Sequence, residues 1–237
     1  MLNDQFSVSV VTPIYNEEEI VVQAIHQNLD ALNQLQCNYE IIVVNDGSTD
    51  KSRGLLEKHF AHFEKIKIIH HSKNEGFGRA VMSGIEHASK EYVLCIPSDN
   101  PLSLSMLKNF AAAAEKADII VGYRNGRNGY TPMMRLNAQV FHGVVTTLFN
   151  IQLRDFNWIH MYSRKIFAER KVKVQSTGIF MLAEILIRAK KEGCTFHEIF
   201  IEQSVRVTGV ASASKLSTML KTMKELFALY FGDYRKN

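Results

Sequence analysis

The side chains best equipped for chemistry fall in three clusters, each directly behind an apolar run. Pro13-Ile14-Tyr15-Asn16-Glu17 follows Val8-Ser9-Val10-Val11-Thr12. Asn45-Asp46-Gly47-Ser48-Thr49-Asp50 follows Glu40-Ile41-Ile42-Val43-Val44, and Pro97-Ser98-Asp99-Asn100-Pro101 follows Tyr92-Val93-Leu94-Cys95-Ile96. A tyrosine can pack on a ribose or a base, and carboxylates such as Glu17 and Asp46 accept from base N–H groups or ribose hydroxyls. Asp99, with Ser98 beside it, offers the hard oxygen that a divalent cation shares with a diphosphate. The competing possibility for Asp46 and Asn45 is a capped turn that bonds only local amides. For Asp99 it is an ordinary turn before Pro101. Farther along, Arg124, Arg135 and Arg206 carry forks that match phosphate oxygens, or else are solvated surface arginines. Asp155 and Glu184 are the carboxylates available as a general base, although Glu184 could simply pair with Arg188 four residues on.

The elements that must position these groups follow from periodicity. The β-branched runs predict strands buried on both faces, so the polar clusters mark the carboxyl ends of parallel strands. Apolar spacing predicts a helix over 17–35, with Asn16 as its cap, a strand over 39–44, a short helix over 52–62 and a strand over 66–70. Asn74-Glu75-Gly76-Phe77-Gly78 opens a helix to about Ala88. A strand at 92–96, a helix at 103–116 and a strand at 118–122 complete an alternation that means a mostly parallel sheet with right-handed crossovers. The second half is expected to hold helices over 131–150 and 179–192, the latter ended by Gly193. Strands over 158–163 and 196–205 and a last helix over 215–231 complete it.

A chain of 237 residues with a net charge of +4 suits one large α/β domain, and no basic stripe with interleaved aromatics argues for nucleic acid. Cys37, Cys95 and Cys194 are isolated, which suggests neither a zinc site nor a disulfide framework. No basic-then-apolar leader and no bilayer-length apolar run are present, so a cytoplasmic protein is expected. The last helix carries Leu216, Met219, Leu220, Met223, Leu226, Phe227 and Tyr230, with Lys215, Lys221 and Lys224 on or beside its polar face. It is suited to packing on the sheet, to a second subunit, or to peripheral contact with a membrane face.

In combination these motifs resemble the family-2 glycosyltransferases of GT-A fold, and within them the dolichol-phosphate mannose synthases and bacterial polyprenyl-phosphate relatives. The resemblance runs from about Val8 to Leu216 through Thr12–Glu17, Val44–Asp50, Asn74–Ala80, Ser98-Asp99, Gly122-Tyr123-Arg124, Arg135, Asp155-Phe156-Asn157, Glu184, Arg206–Gly209 and Ser214-Lys215-Leu216. It departs where Pro97 replaces the first acid of the family's Asp-x-Asp metal motif. It departs again at Ile159 and His160, where many relatives carry glycine and an aromatic residue.

The resemblance implies an α/β GT-A fold, Rossmann-like, with a mostly parallel sheet flanked by helices. Residues 1–122 would form a nucleotide-sugar-binding half, 123–215 an acceptor half, and 216–237 an amphipathic helix. It places the nucleotide on Pro13, Tyr15, Glu17, Asp46 and Ser98, and Mg²⁺ or Mn²⁺ on Asp99. Arg124, Arg135, Arg206 and Lys215 would hold phosphates, the last two on a loop that closes over the site. Asp99, Asp155, Glu184 and Arg206 would serve catalysis. The implied reaction is inverting transfer from a nucleotide-sugar donor to a polyprenyl phosphate. The alternatives are transfer to a sugar hydroxyl in surface-polysaccharide synthesis, or a non-catalytic binder with a decayed metal motif. Oligomeric state stays open.

Overall fold

A computed structural model describes residues 6–125, 130–169, 172–202 and 216–234. The first half alternates as the apolar spacing requires: β1 (Ser7–Ile14), α1 (Val21–Leu35), β2 (Asn38–Asn45), α2 (Ser52–Phe60), β3 (Ile66–His70), α3 (Phe77–Glu86), β4 (Tyr92–Cys95), α4 (Leu104–Ala113) and β5 (Ile119–Tyr123). The second half adds α5 (Pro132–Phe149), β6 (His160–Ser163), the single turn α6 (Lys165–Ala168), α7 (Met181–Lys191), β7 (Phe196–Phe200) and α8 (Leu216–Leu229). A wider turn at Tyr230–Tyr234 continues α8.

The seven strands lie in the order β3-β2-β1-β4-β6-β5-β7. All pairings are parallel except those of β6, which runs antiparallel to both β4 and β5. The chain winds outward from β1 to β3 and then returns to place β4 on the other side of β1. The switch between β1 and β4 opens a crevice at their carboxyl ends, where α/β sheets take their ligands. Pro13 fits β1 for a related reason. β4 pairs with Val8–Val11 only, so the missing N–H of Pro13 leaves no rung of that ladder unmade.

The sheet is buried on both faces. One cluster joins it to α1, α2 and α4 through Ile25, Leu32, Leu56, Phe60 and Phe110. The other joins it to α3, α5, α7 and α8 through Val81, Phe149, Ile185 and Leu226. Caps end the helices as sequence chemistry dictates: Ser103 Oγ accepts from Met106 N, Thr131 Oγ1 accepts from Met134 N, and Gly193 takes a positive φ of 73° after α7. No helix among the described residues is long and apolar enough to cross a membrane.

One local expectation needs correction, and one short element was not foreseen. α1 starts at Val21, not Glu17, and Asn16 does not cap it. Asn16 adopts φ 55° and turns its side chain across to the next strand's loop, so the acidic stretch 17–19 forms a turn. The short α6 was not apparent, because four residues carry too little periodicity to register.

Candidate active site

The crevice is built first by lacing two strand-end loops together. Asn16 Oδ1 accepts from Thr49 N at 2.8 Å, and Asn16 N donates to Ser48 Oγ at 3.0 Å. Glu17 N donates to Ser52 Oγ at 2.9 Å, Glu18 N to Asp50 Oδ2 at 3.0 Å, and Lys51 N to Glu18 Oε2 at 2.8 Å. These bonds fix the 13–18 segment and hold the half-buried Pro13 and Glu17 at the crevice. Tyr15 is 45% exposed, which leaves a ring face open for a planar ligand.

Asp46 faces the other way. It is buried, and both carboxylate oxygens receive protein donors. Oδ1 accepts from Glu75 N at 2.9 Å and meets His71 Nδ1 at 2.7 Å, while Oδ2 accepts from Gly76 N at 2.9 Å. His71 Nε2 in turn meets Ser83 Oγ at 2.9 Å. Asp46 therefore anchors the start of α3 and orients the loop that leads into it. Asn45 serves the same turn, its Oδ1 accepting from Ser48 N at 3.1 Å.

The start of α3 is held from its far side too. Gly76 has φ 100°, and a Cβ built there would lie 2.5 Å from Thr177 O, so only glycine fits. Gly78 N donates to Thr177 O at 2.8 Å. The 175–178 turn hangs on Glu184, which is 1% exposed. Glu184 accepts from Gln175 N at 3.1 Å, Ser176 N at 2.8 Å and Arg188 Nε at 2.6 Å. Lys221 of α8 donates to Thr177 Oγ1 at 2.9 Å. A continuous set of contacts thus runs from the end of β2 to the last helix.

Asp99 lies half-buried in the turn after β4, next to buried Ser98. A cleft of about 20 Å³, lined by Gln23, Gln27, Ser98 and Asp99 among others, separates this turn from α1. That is room for a single water-sized group. Asn28 steadies the turn: its Oδ1 accepts from Leu102 N at 2.7 Å, and its Nδ2 donates to Thr12 Oγ1 at 3.3 Å.

On the other flank, Arg124 at the end of β5 is committed to Asp155. Its Nε donates to Asp155 Oδ2 at 2.9 Å, and its guanidinium lies 4.1 Å from the centre of the Trp158 ring. Both side chains of the pair are nearly inaccessible, and Asp155 Oδ1 also accepts from Asn157 N at 3.1 Å. Arg135 is exposed in the first turn of α5. His160 is a fully buried core residue, and desolvation pushes its pKa down to about 4. Arg206 and Lys215 lie outside the described residues.

The profile of glycosyl transferase family 2 matches residues 9–178, which span the laced loops, the Asp46 anchor and the Asp99 turn. The chain belongs to glycosyl transferase family 2. Among relatives of this family-2 chain, an undecaprenyl-phosphate 4-deoxy-4-formamido-L-arabinose transferase of Proteus mirabilis is 29% identical over 185 residues, 76% of this chain and 56% of that one. The chain spans about half the length of the curated relatives it matches. Two solved structures share the fold. Glucosyl-3-phosphoglycerate synthase of Mycobacterium tuberculosis, crystallised with Mn²⁺, UDP and phosphoglyceric acid, superposes with a TM-score of 0.71 at 16% identity, covering 94% of this chain and 78% of that one. Mannosyl-3-phosphoglycerate synthase of Rubrobacter xylanophilus gives 0.74 at 15% identity, covering 97% and 75%. The fold of this family-2 chain is accordingly that of GT-A glycosyltransferases.

Among the described residues no group of three His, Cys, Asp or Glu side chains could hold a metal by itself. The donor set around Asp99 suits a cation that arrives with a diphosphate, since hard cations complete their shell with phosphate oxygens and water.

His71, Asn28 and Ser52 were not apparent as contributors to the site. Asn28 did leave a signal, a polar side chain within the apolar stripe Ala24, Ile25, Leu29 and Leu32. A buried amide must find partners, and these two are what it found.

Proposed function

We propose that this chain is an inverting glycosyltransferase that moves a sugar from a nucleotide-sugar donor to a polyprenyl phosphate. One observation carries the choice of acceptor. Asp155 and Glu184, the carboxylates that a sugar-hydroxyl acceptor would need as base, are each buried against an arginine and backbone amides. A phosphomonoester is already largely dianionic at neutral pH, its second pKa lying near ~6, so it needs no base. Relatives named as undecaprenyl-phosphate transferases point the same way.

In this scheme residues 1–122 hold the donor and 123–215 the acceptor. The Tyr15 ring packs on the base or ribose, and Pro13, Glu17 and Ser98 line the nucleotide's cleft, with the Asp46 loop shaping its floor. Asp99 would hold Mg²⁺ or Mn²⁺, which when bound neutralises the departing diphosphate. Arg135, with Arg206 and Lys215, steers the two phosphate groups. Arg124 positions Asp155 and the Asn157-Trp158 segment beside the donor sugar. An acceptor phosphate oxygen bonds to the anomeric carbon as the carbon–oxygen bond to the diphosphate breaks on the opposite face. Catalysis rests on alignment and on charge stabilisation.

The test pairs binding with turnover. UDP-, GDP-, dTDP- and CDP-sugars are screened by thermal shift with and without Mn²⁺, and the donor found is offered with a polyprenyl phosphate. Labelled sugar extracting into organic solvent is the expected result. Asp99→Asn should abolish the Mn²⁺-dependent part of the shift. Transfer to sugar hydroxyls alone would overturn the acceptor assignment, and no shift with any donor would overturn the transferase.

A further inference from the structure

We propose that His70, at the end of β3, is a positioning residue for the nucleotide and acts through Asn45. A neutral ring holds the 45–48 turn in order, and a protonated ring releases it. β3 meets β2 in parallel register with His70 opposite Asn45, and His71 N donates to Asn45 O at 2.9 Å. Asn45 is 2% exposed, so both ends of its amide need partners inside the protein. Its Oδ1 accepts from Ser48 N at 3.1 Å. The end that meets His70 Nδ1 at 3.0 Å is therefore Nδ2, a donor. A donor there requires a bare ring nitrogen, so His70 Nδ1 accepts and the ring proton sits on Nε2. Nε2 in turn donates to Glu57 Oε1 of α2 at 2.8 Å.

The neighbouring histidine is under no such restriction. His71 Nδ1 faces the Asp46 carboxylate, and Nε2 faces Ser83 Oγ, a hydroxyl that either accepts or donates. His71 therefore takes a second proton with both contacts kept. A second proton on His70 points an N–H at the NH₂ of Asn45. Turning the amide over does not repair this, because Nδ2 then faces Ser48 N. In either arrangement one buried N–H lacks an acceptor. Charge around the ring is modest. From α2, Glu57 favours the imidazolium, but its side chain is 52% exposed and screened by water. In the loop after β2, Asp46 is occupied by His71 and the amides of Glu75 and Gly76. β2 meets the ring with the uncharged Asn45, and Lys67 on β3 is turned to Glu40.

The turn that His70 holds also carries the loop with Tyr15. Ser48 Oγ accepts from Asn16 N at 3.0 Å, and Asn16 Oδ1 accepts from Thr49 N at 2.8 Å. His70 acts on binding only if this sheet edge is the nucleotide cleft proposed above. A donor that needs the ordered turn then binds the neutral ring better, so donor and proton compete. Histidine is the side chain whose charge changes between about pH 5 and 8, and affinity should fall as pH is lowered through that range.

Two measurements separate the hold on the turn from the cleft. Long-range ¹⁵N correlation spectra of the unliganded chain read the histidine tautomers. At about pH 8 His70 should show Nδ1 bare and Nε2 protonated. The Ser48 amide and Asn45 side-chain signals should shift with the same midpoint as His70. Calorimetry with UDP-, GDP-, dTDP- and CDP-glucose in Mn²⁺ then reads binding at about pH 8 and about pH 5.5. The wild-type dissociation constant should rise about tenfold at the lower pH, as one lost buried hydrogen bond gives, with a proton released on binding. His70→Asn puts a permanent acceptor at the place of Nδ1. It should bind as wild type does at the higher pH and change less than ~twofold at the lower. Effects of pH on Mn²⁺ or on carboxylates are common to both proteins and cancel in this comparison. A His70 proton on Nδ1, equal wild-type affinity at the two pH values, or a pH dependence that His70→Asn reproduces would overturn the proposal. Absence of binding by all four sugar nucleotides would remove the nucleotide cleft, while the spectra would still decide whether His70 holds the turn.

Discussion

Glu184→Gln separates a carboxylate that holds the fold from one that takes a proton. The wild-type side chain is 1% exposed and collects three N–H donors, from Gln175, Ser176 and Arg188. Glutamine keeps the volume but offers one acceptor oxygen, and its own NH₂ must then face a donor. An unpaired buried donor costs ~1–3 kcal/mol. Breaking a buried ion pair from one side costs ~3–5 kcal/mol. Arg188 is 18% exposed and recovers part of its hydration, which holds the total to about 3 kcal/mol. At ~2–4 °C per kcal/mol for a chain of this size, the melting temperature should fall by about 6–12 °C. Alanine should cost more, because it removes the acceptor that all three donors share and leaves a cavity. Thermal and urea unfolding measure the loss, and donor turnover is read below the variant's midpoint. A glutamine variant that melts within ~2 °C of wild type while losing all turnover would refute the reasoning, since Glu184 would then act on a proton and not on the 175–178 turn.

The remaining predictions concern pH and the glycine at the start of α3. Burial raises the Glu40 pKa, but hydrogen bonds from Lys67, Ser9 and Ser89 outweigh it and bring the carboxyl to about 2. Its stabilisation is complete above the unfolded value of 4.5 and is lost as pH falls toward 2, so Glu40→Gln should remove an acid-sensitive contribution of about 3 kcal/mol from urea titrations. His160 is held neutral by desolvation, its pKa lowered to about 4. The unfolded chain binds this proton from near ~6.5 downward, so stability should decline between pH 6.5 and 4, and His160→Leu should flatten that part of the profile. Gly76→Ala places a Cβ 2.5 Å from Thr177 O at φ 100°. It should cost about 2 kcal/mol or more by urea unfolding and raise hydrogen exchange at residues 75–78.

Much of the first half was legible because its determinants are local. A β-branched run that ends in Asn-Asp-Gly-Ser can hardly be anything but a buried strand meeting a loop, and with two further apolar runs that end in polar loops it announces a sheet edge. The second half resisted for the opposite reason. β6 pairs antiparallel between β4 and β5, strands far from it in the chain, and nothing in His160–Ser163 encodes that choice. Asp155 and Glu184 look alike as candidate bases in the sequence. In the fold Asp155 meets Arg124 from 31 residues away, while Glu184 keeps the Arg188 pairing its spacing allowed and adds the amides of Gln175 and Ser176.

By itself, then, the order of residues determined the strand–helix alternation, the polar ends of three strands and the motifs that resemble family 2. The first two arise from periodicity and turn chemistry within some ten residues. Tertiary structure alone decided that Asp46 anchors a helix, that Arg124 is consumed by Asp155, and that Asn16 bridges loops instead of capping α1. A buried polar group bonds to whatever folding brings within about 3 Å, and that neighbour is a property of the packed sheet and not of adjacent residues.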